Sequence, residues 1–416
     1  MSVTGRAAAA LVGCALLALF LPPFVVVVVM LALLAATLTD VQLARRNVYA
    51  RRQFPSTLSR GVPVALTVDV DDAVGSVRLR QPLPPDLRVG IADIRSVHLA
   101  TDARALRRGR HVLPRLAVAV DGPLGLGRWL HRPGDEHVFT VYPDLVAAWR
   151  LVESMRRGGF SDPGQLIRGP LGLGTEFESV REYRPDDDFR QINWRASSRV
   201  GHAMSNNYRI EQDRDVICCV DTGRLVASPI GDATRLDLAF DAVVTIALIA
   251  DELGDRCGLV AFADTVRRVV PPGRKGSRGV IEGCVDLEPV LVDSDFEAAF
   301  QRVAGGKRSL VVVFTDLVEP SAARSLVDAV PVLSRRHAVV VASVDDPELR
   351  ALIDAEPGAD PVARARSALA ADLLADRDAV VAQLRRAGAI VITAPPERLT
   401  AACVAAYVRT KRMARI

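Results

Sequence analysis

Apolar positions along the chain follow three different patterns. Ala7 to Leu21 and Phe24 to Thr39 are uncharged apolar runs separated by Pro22-Pro23. Each is short for a bilayer span of about 20 residues, and together they are too long for one upright helix. They form either a hairpin of two short helices turning at the prolines or one kinked, tilted span. The stretch is overlong for a cleaved signal peptide, and no small-residue cleavage site precedes the polar chain. Arg45, Arg46, Arg51 and Arg52 follow, which under the positive-inside rule keeps this flank and the folded body cytoplasmic, at the cell membrane.

From residue 48 the pattern changes to short β-rich runs, including Val62 to Val70, Gly75 to Gln81, Ser96 to Ala100 and Arg115 to Val120. Alternation at period two, broken by Pro, Gly and Asp about every 8 to 12 residues, predicts a small β-sandwich over residues 48–143. Residues 144–173 read as a helix, Leu145 to Arg157, and a Gly- and Pro-rich linker that marks a domain boundary. From residue 213 to 416 apolar strands alternate with helices. Val216 to Asp221, Gly258 to Ala263, Leu310 to Asp316, Ala338 to Val344 and Ile390 to Thr393 are the strands, with helices such as Asp237 to Leu253, Ala322 to Arg335, Ala363 to Arg386 and Pro396 to Arg409 between or after them. Continuous apolar strands like Leu310-Val311-Val312-Val313-Phe314 need helices on both faces, which predicts a doubly wound α/β domain. Loops at the carboxyl ends of such strands carry function, and Asp221 and Asp316 then share one edge.

Between the linker and the α/β domain, residues 174–212 set Glu176, Glu178, Glu182 and Asp186 to Asp188 against Arg181, Arg184, Arg190, Arg195 and Arg199, with Phe177, Tyr183, Phe189, Ile192 and Trp194 threaded among them. Near-cancelling charge with interleaved aromatics predicts a folded ion-pair network packed around apolar anchors. Pro185 followed by three Asp reads as a helix start, with Phe189, Ile192 and Ala196 on one face.

Arg181-Glu182-Tyr183-Arg184-Pro185, Asp187-Asp188 and Ile192-x-Trp194-Arg195-Ala196-Ser197 resemble the signature of the bacterial domain-of-unknown-function fifty-eight family, with Asn193 where the family usually has Asp. The resemblance implies a membrane-tethered protein with a C-terminal von Willebrand factor type A-like domain, working beside a MoxR-type AAA ATPase as protein partner. It makes Arg181, Glu182, Tyr183, Arg184, Pro185, Asp187, Asp188, Trp194 and Arg195 the family residues. Asp221 and Asp316 resemble the two aspartates of the metal-ion-dependent adhesion site of von Willebrand type A domains. There the first strand is followed by Asp-x-Ser-x-Ser, and this chain has Asp221-Thr222-Gly223-Arg224-Leu225. Both serine hydroxyls are lost, so the pocket of Asp221, Thr222 and Asp316 reads as a degenerate Mg²⁺ site with no cofactor. Two carboxylates facing each other then call for a positive group, with Arg224, Arg274 and Lys275 as candidates.

Composition narrows the remaining classes. A formal charge of +4 over 416 residues gives no nucleic-acid footprint. Six cysteines lack metal or disulfide spacing and read as buried reduced thiols. Arg274-Lys275-Gly276-Ser277-Arg278 lacks the spacing of a phosphate-cradling loop and reads as a solvated turn. No Gly-x-Ser-x-Gly elbow or nucleophile with a base occurs, which argues against an enzyme. The expectation is a non-enzymatic, membrane-anchored interaction or scaffold protein in protein complex assembly or maturation. A metal-dependent adhesion-type module and an unrecognised hydrolase are the alternatives.

Overall fold

The computed structural model describes residues 2–17, 19–157, 161–162, 165–166, 176–184, 189, 192–209, 213–354 and 360–413. The chain divides into two compact units between Tyr142 and Pro143.

The first unit opens with helices α1 (Gly5–Leu17) and α2 (Pro23–Ala44). Their Ala7, Leu11, Val27, Met30, Leu31 and Leu34 side chains line one shared apolar groove, so the two helices form a hairpin rather than one kinked span. Only α2, of 22 residues, is long and apolar enough to cross a bilayer among the described residues; α1 has 13. Pro23 occupies the first turn of α2, where its missing N–H costs nothing.

An all-β body follows. Three small sheets, rather than the two of a simple sandwich, close around one core made by Leu66, Val68, Leu79, Leu99, Val118 and Phe139. Strand β1 (Pro63–Asp71) shows why: its burial alternates residue by residue, the signature of a strand with one face on the core. Arg52, read from sequence only as a topology charge, is half-buried and donates to the carbonyls of Pro114 at 2.8 Å and Asp135 at 2.7 Å.

The helical hairpin is tied to this body through one carboxylate. Asp40, at the end of α2, is fully buried and accepts from the backbone N–H groups of Leu124 (2.8 Å), Leu126 (2.7 Å) and Gly127 (2.8 Å). From the other end of the hairpin, the Thr4 hydroxyl donates to the Gly125 carbonyl of the same turn at 2.5 Å. The turn is glycine-rich because the helix end leaves no room: a Cβ on Gly122 would lie 2.2 Å from the Asp40 carboxylate carbon, and one on Gly127 would lie 2.3 Å from Val41 Cγ2. Arg45 then stacks over the Trp129 ring at 5.2 Å.

The second unit carries helix α3 (Leu145–Arg156), whose Asp144 cap and buried Ala148 and Val152 place it on the α/β core and not in a linker. Its main sheet has six strands: β2 (Asp215–Asp221), β3 (Arg256–Phe262), β4 (Val266–Arg274), β5 (Ser309–Phe314), β6 (Ala338–Val344) and β7 (Ile390–Ala394). Their spatial order is β4-β3-β2-β5-β6-β7, parallel throughout except for the antiparallel edge strand β4. Helices α4 (Arg235–Glu252) and α5 (Pro396–Arg412) pack on one face; α6 (Phe296–Ala304), α7 (Pro320–Ser334) and α8 (Pro361–Arg386) pack on the other. At the amino edge, buried Asp255 accepts from Tyr407 and from Lys411 Nζ at 2.6 Å, which fastens α5 to the sheet.

Asp40→Ala leaves three N–H groups without their acceptor, at a cost on the order of 3 kcal/mol or more. A fall in the melting temperature of the purified full chain, with protease cutting within residues 121–127, is the expected result; unchanged melting would show that the hairpin is held by packing alone.

Candidate functional site

Strand order reverses direction between β2 and β5, so their carboxyl ends diverge and leave a crevice. Asp221 ends β2; Thr315 and Asp316 follow β5; Asp345 follows β6. All four are at least nine-tenths buried. Asp221 Oδ1 accepts from Gly223 N at 2.7 Å and from Ser294 Oγ at 2.5 Å, and Oδ2 accepts from Thr315 Oγ1 at 2.6 Å. Among the described residues Asp221 is thus held by neutral donors alone.

Thr222, offered by sequence as a pocket hydroxyl, turns away and donates to the Phe262 carbonyl at 2.8 Å. Ser294 and Thr315 supply the hydroxyls instead. Thr315 stands next to Asp316 at the end of a strand, a signal that sequence carries. Ser294 sits in a loop 73 residues from Asp221, and no spacing announces it.

The cation beside Asp316 is Arg235, from the first turn of α4, with Nε 3.3 Å from Oδ2. Arg224, Arg274 and Lys275 were the candidates, and none takes that place. Arg224 reaches Asp293 at 2.6 Å and Glu319 at 2.8 Å, and those hydrogen bonds hold its pKa high. Arg274 pairs with Asp213 at the opposite edge. The turn of Arg274 to Arg278 is likewise committed elsewhere: Ser277 donates to Asp251 at 2.5 Å and Arg278 pairs with Glu282 at 3.0 Å. Burial raises the Asp316 pKa against the opposing pull of Arg235. Asp345 moves the other way: burial works to raise it, but hydrogen bonds from Arg377 (2.6 Å) and Arg350 (2.5 Å) hold it below the ordinary value.

The cavity over Asp221, Ser294, Thr315 and Asp316 measures about 60 Å³. That is room for a small ion or one or two waters, far below the several hundred Å³ of an organic ligand site. Other nucleophile candidates are inert. All six cysteines are free and buried, with Cys219 and Cys403 pushed by burial to about 12. His337 is buried against Ser309 Oγ at 2.8 Å, and burial lowers its pKa.

The family signature is a separate surface. Glu176–Glu182 pairs antiparallel with Met204–Arg209, and a short helix, Trp194–Val200, lies between them. Its start is Asn193, whose Oδ1 accepts from Ala196 N at 2.9 Å. Pro185, Asp187 and Asp188 lie outside the described residues. Asn193 also anchors the hairpin, donating to Asn206 Oδ1 at 2.8 Å. Trp194 is 73% exposed and Phe189 69%, so neither of these two aromatics is a buried anchor. Arg195, Arg184 and Glu182 are exposed as well, while Arg181 and Tyr183 are half-buried. Seven helical residues cannot cover a ring of that size, and the helix has no buried residue.

Arg377 is almost fully buried against Asp345. Arg377→Met should cost about 3 kcal/mol or more, because it leaves the carboxylate with one partner. The depressed Asp345 pKa makes its contribution present above the ordinary value of 3.8 and lost as pH falls through the lower folded value. Asp316, with a raised pKa, has the opposite sign: its contribution is greatest in acid and is lost as pH rises through its folded value. Thermal melts of wild type and Asp345→Asn between pH 2 and 7 check this; the variant should lose part of the acid-side decline, and identical profiles would remove Asp345 from it.

Residues 179–359 match the model of a family described as protein of unknown function DUF58. Over 296 residues the chain is 27% identical to uncharacterized protein Rv1480 of Mycobacterium tuberculosis and uncharacterized protein Mb1516 of Mycobacterium bovis, covering 65% of this chain and 90% of each relative. Among solved structures, an uncharacterized membrane spanning protein from Vibrio fischeri shares 15% identity at a TM-score of 0.19, covering 32% of this chain and 71% of that one. A superoxide reductase (neelaredoxin) from Ignicoccus hospitalis shares 11% identity at a TM-score of 0.15, over 24% of this chain and 85% of its own.

Proposed function

We propose that this chain is a non-enzymatic, membrane-anchored interaction protein that recognises a cytoplasmic protein through its signature hairpin. The observation that carries the reading is the exposure of Trp194 beside exposed Arg195: a large aromatic and a guanidinium left in solvent are the residue types that dominate binding energy at interfaces. A MoxR-type AAA ATPase, the partner implied by the family resemblance, is the proposed occupant, in complex assembly or maturation. The small strand-end cavity and the buried thiols support a binding role over a hydrolytic one.

Partner binding is proposed to be independent of divalent ions. The donor set fits Mg²⁺ poorly, since Asp221 already accepts three hydrogen bonds and Arg235 stands beside Asp316. The von Willebrand type A likeness of the α/β unit belongs to the same reading, supported by the strand order and the strand-end aspartates.

Surface substitutions away from the core usually change stability by no more than about 0.5 kcal/mol. Trp194→Ala and Arg195→Ala in the full chain should therefore leave the melting temperature unchanged, weaken binding to the MoxR-type ATPase of the same genome at least tenfold, and behave alike in EDTA and in Mg²⁺. Unfolding of either variant would restore a structural role for the stretch, and binding abolished by EDTA would restore a metal-dependent one.

The proposed partnership also needs the body in the cytoplasm, as Arg45, Arg46, Arg51 and Arg52 direct. Protease applied to intact cells should spare both units; cleavage in either from outside would exclude a cytosolic partner.

A further inference from the structure

The two edges of the main sheet are treated differently. At β4 the edge carries Arg267, Arg268, Pro271 and Pro272, and its pairing with β3 slips twice in register. Charges, prolines and bulges are the usual means of stopping an edge from pairing with another chain. At the other edge, β7 reads Ile390-Val391-Ile392-Thr393-Ala394, with no charge, no proline and an unbroken register against β6. We infer that β7 is kept bare because it receives an extended segment of another protein, one with apolar residues at alternate positions and an acidic residue at the end beside Arg398, as a seventh strand.

The backbone supports this directly. Asp345 N donates to the Ala394 carbonyl at 2.8 Å, so Ala394, Ile392 and Ile390 turn their polar groups toward β6. Successive residues of a strand point opposite ways, so Val391 and Thr393 turn their N–H and C=O groups outward. Among the described residues no group meets them there. Beside this edge runs a groove of about 540 Å³ between β7 and α5, lined by Ile392, Ala402, Ala406 and Met413. Small alanines on the helix leave space for alternate side chains of an added strand, while its backbone pairs with Val391 and Thr393.

Charge selects the occupant. Arg398 and Arg409 line the groove, and no acidic side chain is among its lining residues. Arg398 is exposed and its guanidinium has no partner among the described residues. A second copy would offer only Ile390 to Ala394, a strand with no acidic residue to meet Arg398. A segment with an acidic residue at that end meets the Arg398 guanidinium.

Fluorescence anisotropy of the full chain in detergent micelles tests this with a labelled seven-residue peptide, Asp-Val-Thr-Val-Thr-Val-Asp. Saturable binding is expected, at least tenfold weaker for the Lys-flanked peptide and lost when alternate amides of the peptide are N-methylated. Arg398→Glu should reverse the preference between the two flanks. Thr393→Pro, which removes only an outward N–H, should abolish binding without lowering the melting temperature, as an edge position tolerates. Absence of saturable binding, or binding indifferent to N-methylation, overturns the proposal. So does a dimer in sedimentation that Thr393→Pro dissociates, since a second copy would then own the edge.

Discussion

Burying a carboxylate costs several kcal/mol unless its charge is met, and this chain buries three along one sheet edge. They are met in two ways, one by neutral donors and two by arginines. Asp221 is surrounded by an amide and two hydroxyls that occupy its lone pairs. Asp316 faces Arg235, sent from α4 on one face of the sheet; Asp345 receives Arg377, sent from α8 on the other. The two arginines therefore fasten both helical layers to the same edge. Strand ends that in other α/β folds are left open for ligands are here spent on holding the layers together.

Much of the architecture was legible because it is written in periodicity. Two apolar runs, alternating β segments and continuous strands such as Leu310 to Phe314 place the elements within a few residues of where they lie. Less was legible wherever a partner is distant in the chain. Arg235 opens a helix that reads as ordinary from its pattern, and only its position across from β5 gives it the role assigned to Arg224, Arg274 or Lys275. The signature misled for a related reason. Charge balance with interleaved aromatics suggests burial, yet a hairpin and seven helical residues offer too little surface to hide Trp194.

Helix α3 shows the same lesson at a domain boundary. The Gly-rich composition that follows it drew the dividing line into 158–174, but Ala148 and Val152 carry an apolar face that has to be covered. The division therefore falls at Tyr142, ahead of the helix. Composition marks where a chain is flexible in principle, whereas buried area marks where a unit ends.

The joint at Asp40 has a mechanical meaning. Three amides of one turn grip a carboxylate on the last turns of α2, and glycines bring the backbone within contact of Val41, so no swivel separates helix from β body. A helix of 22 residues is about 33 Å long, and spans of that length meet thicker or thinner bilayers by changing their tilt. On the membrane-anchored reading proposed above, a rigid elbow would pass that tilt on undiminished, so that bilayer thickness would set the angle at which the β body leans.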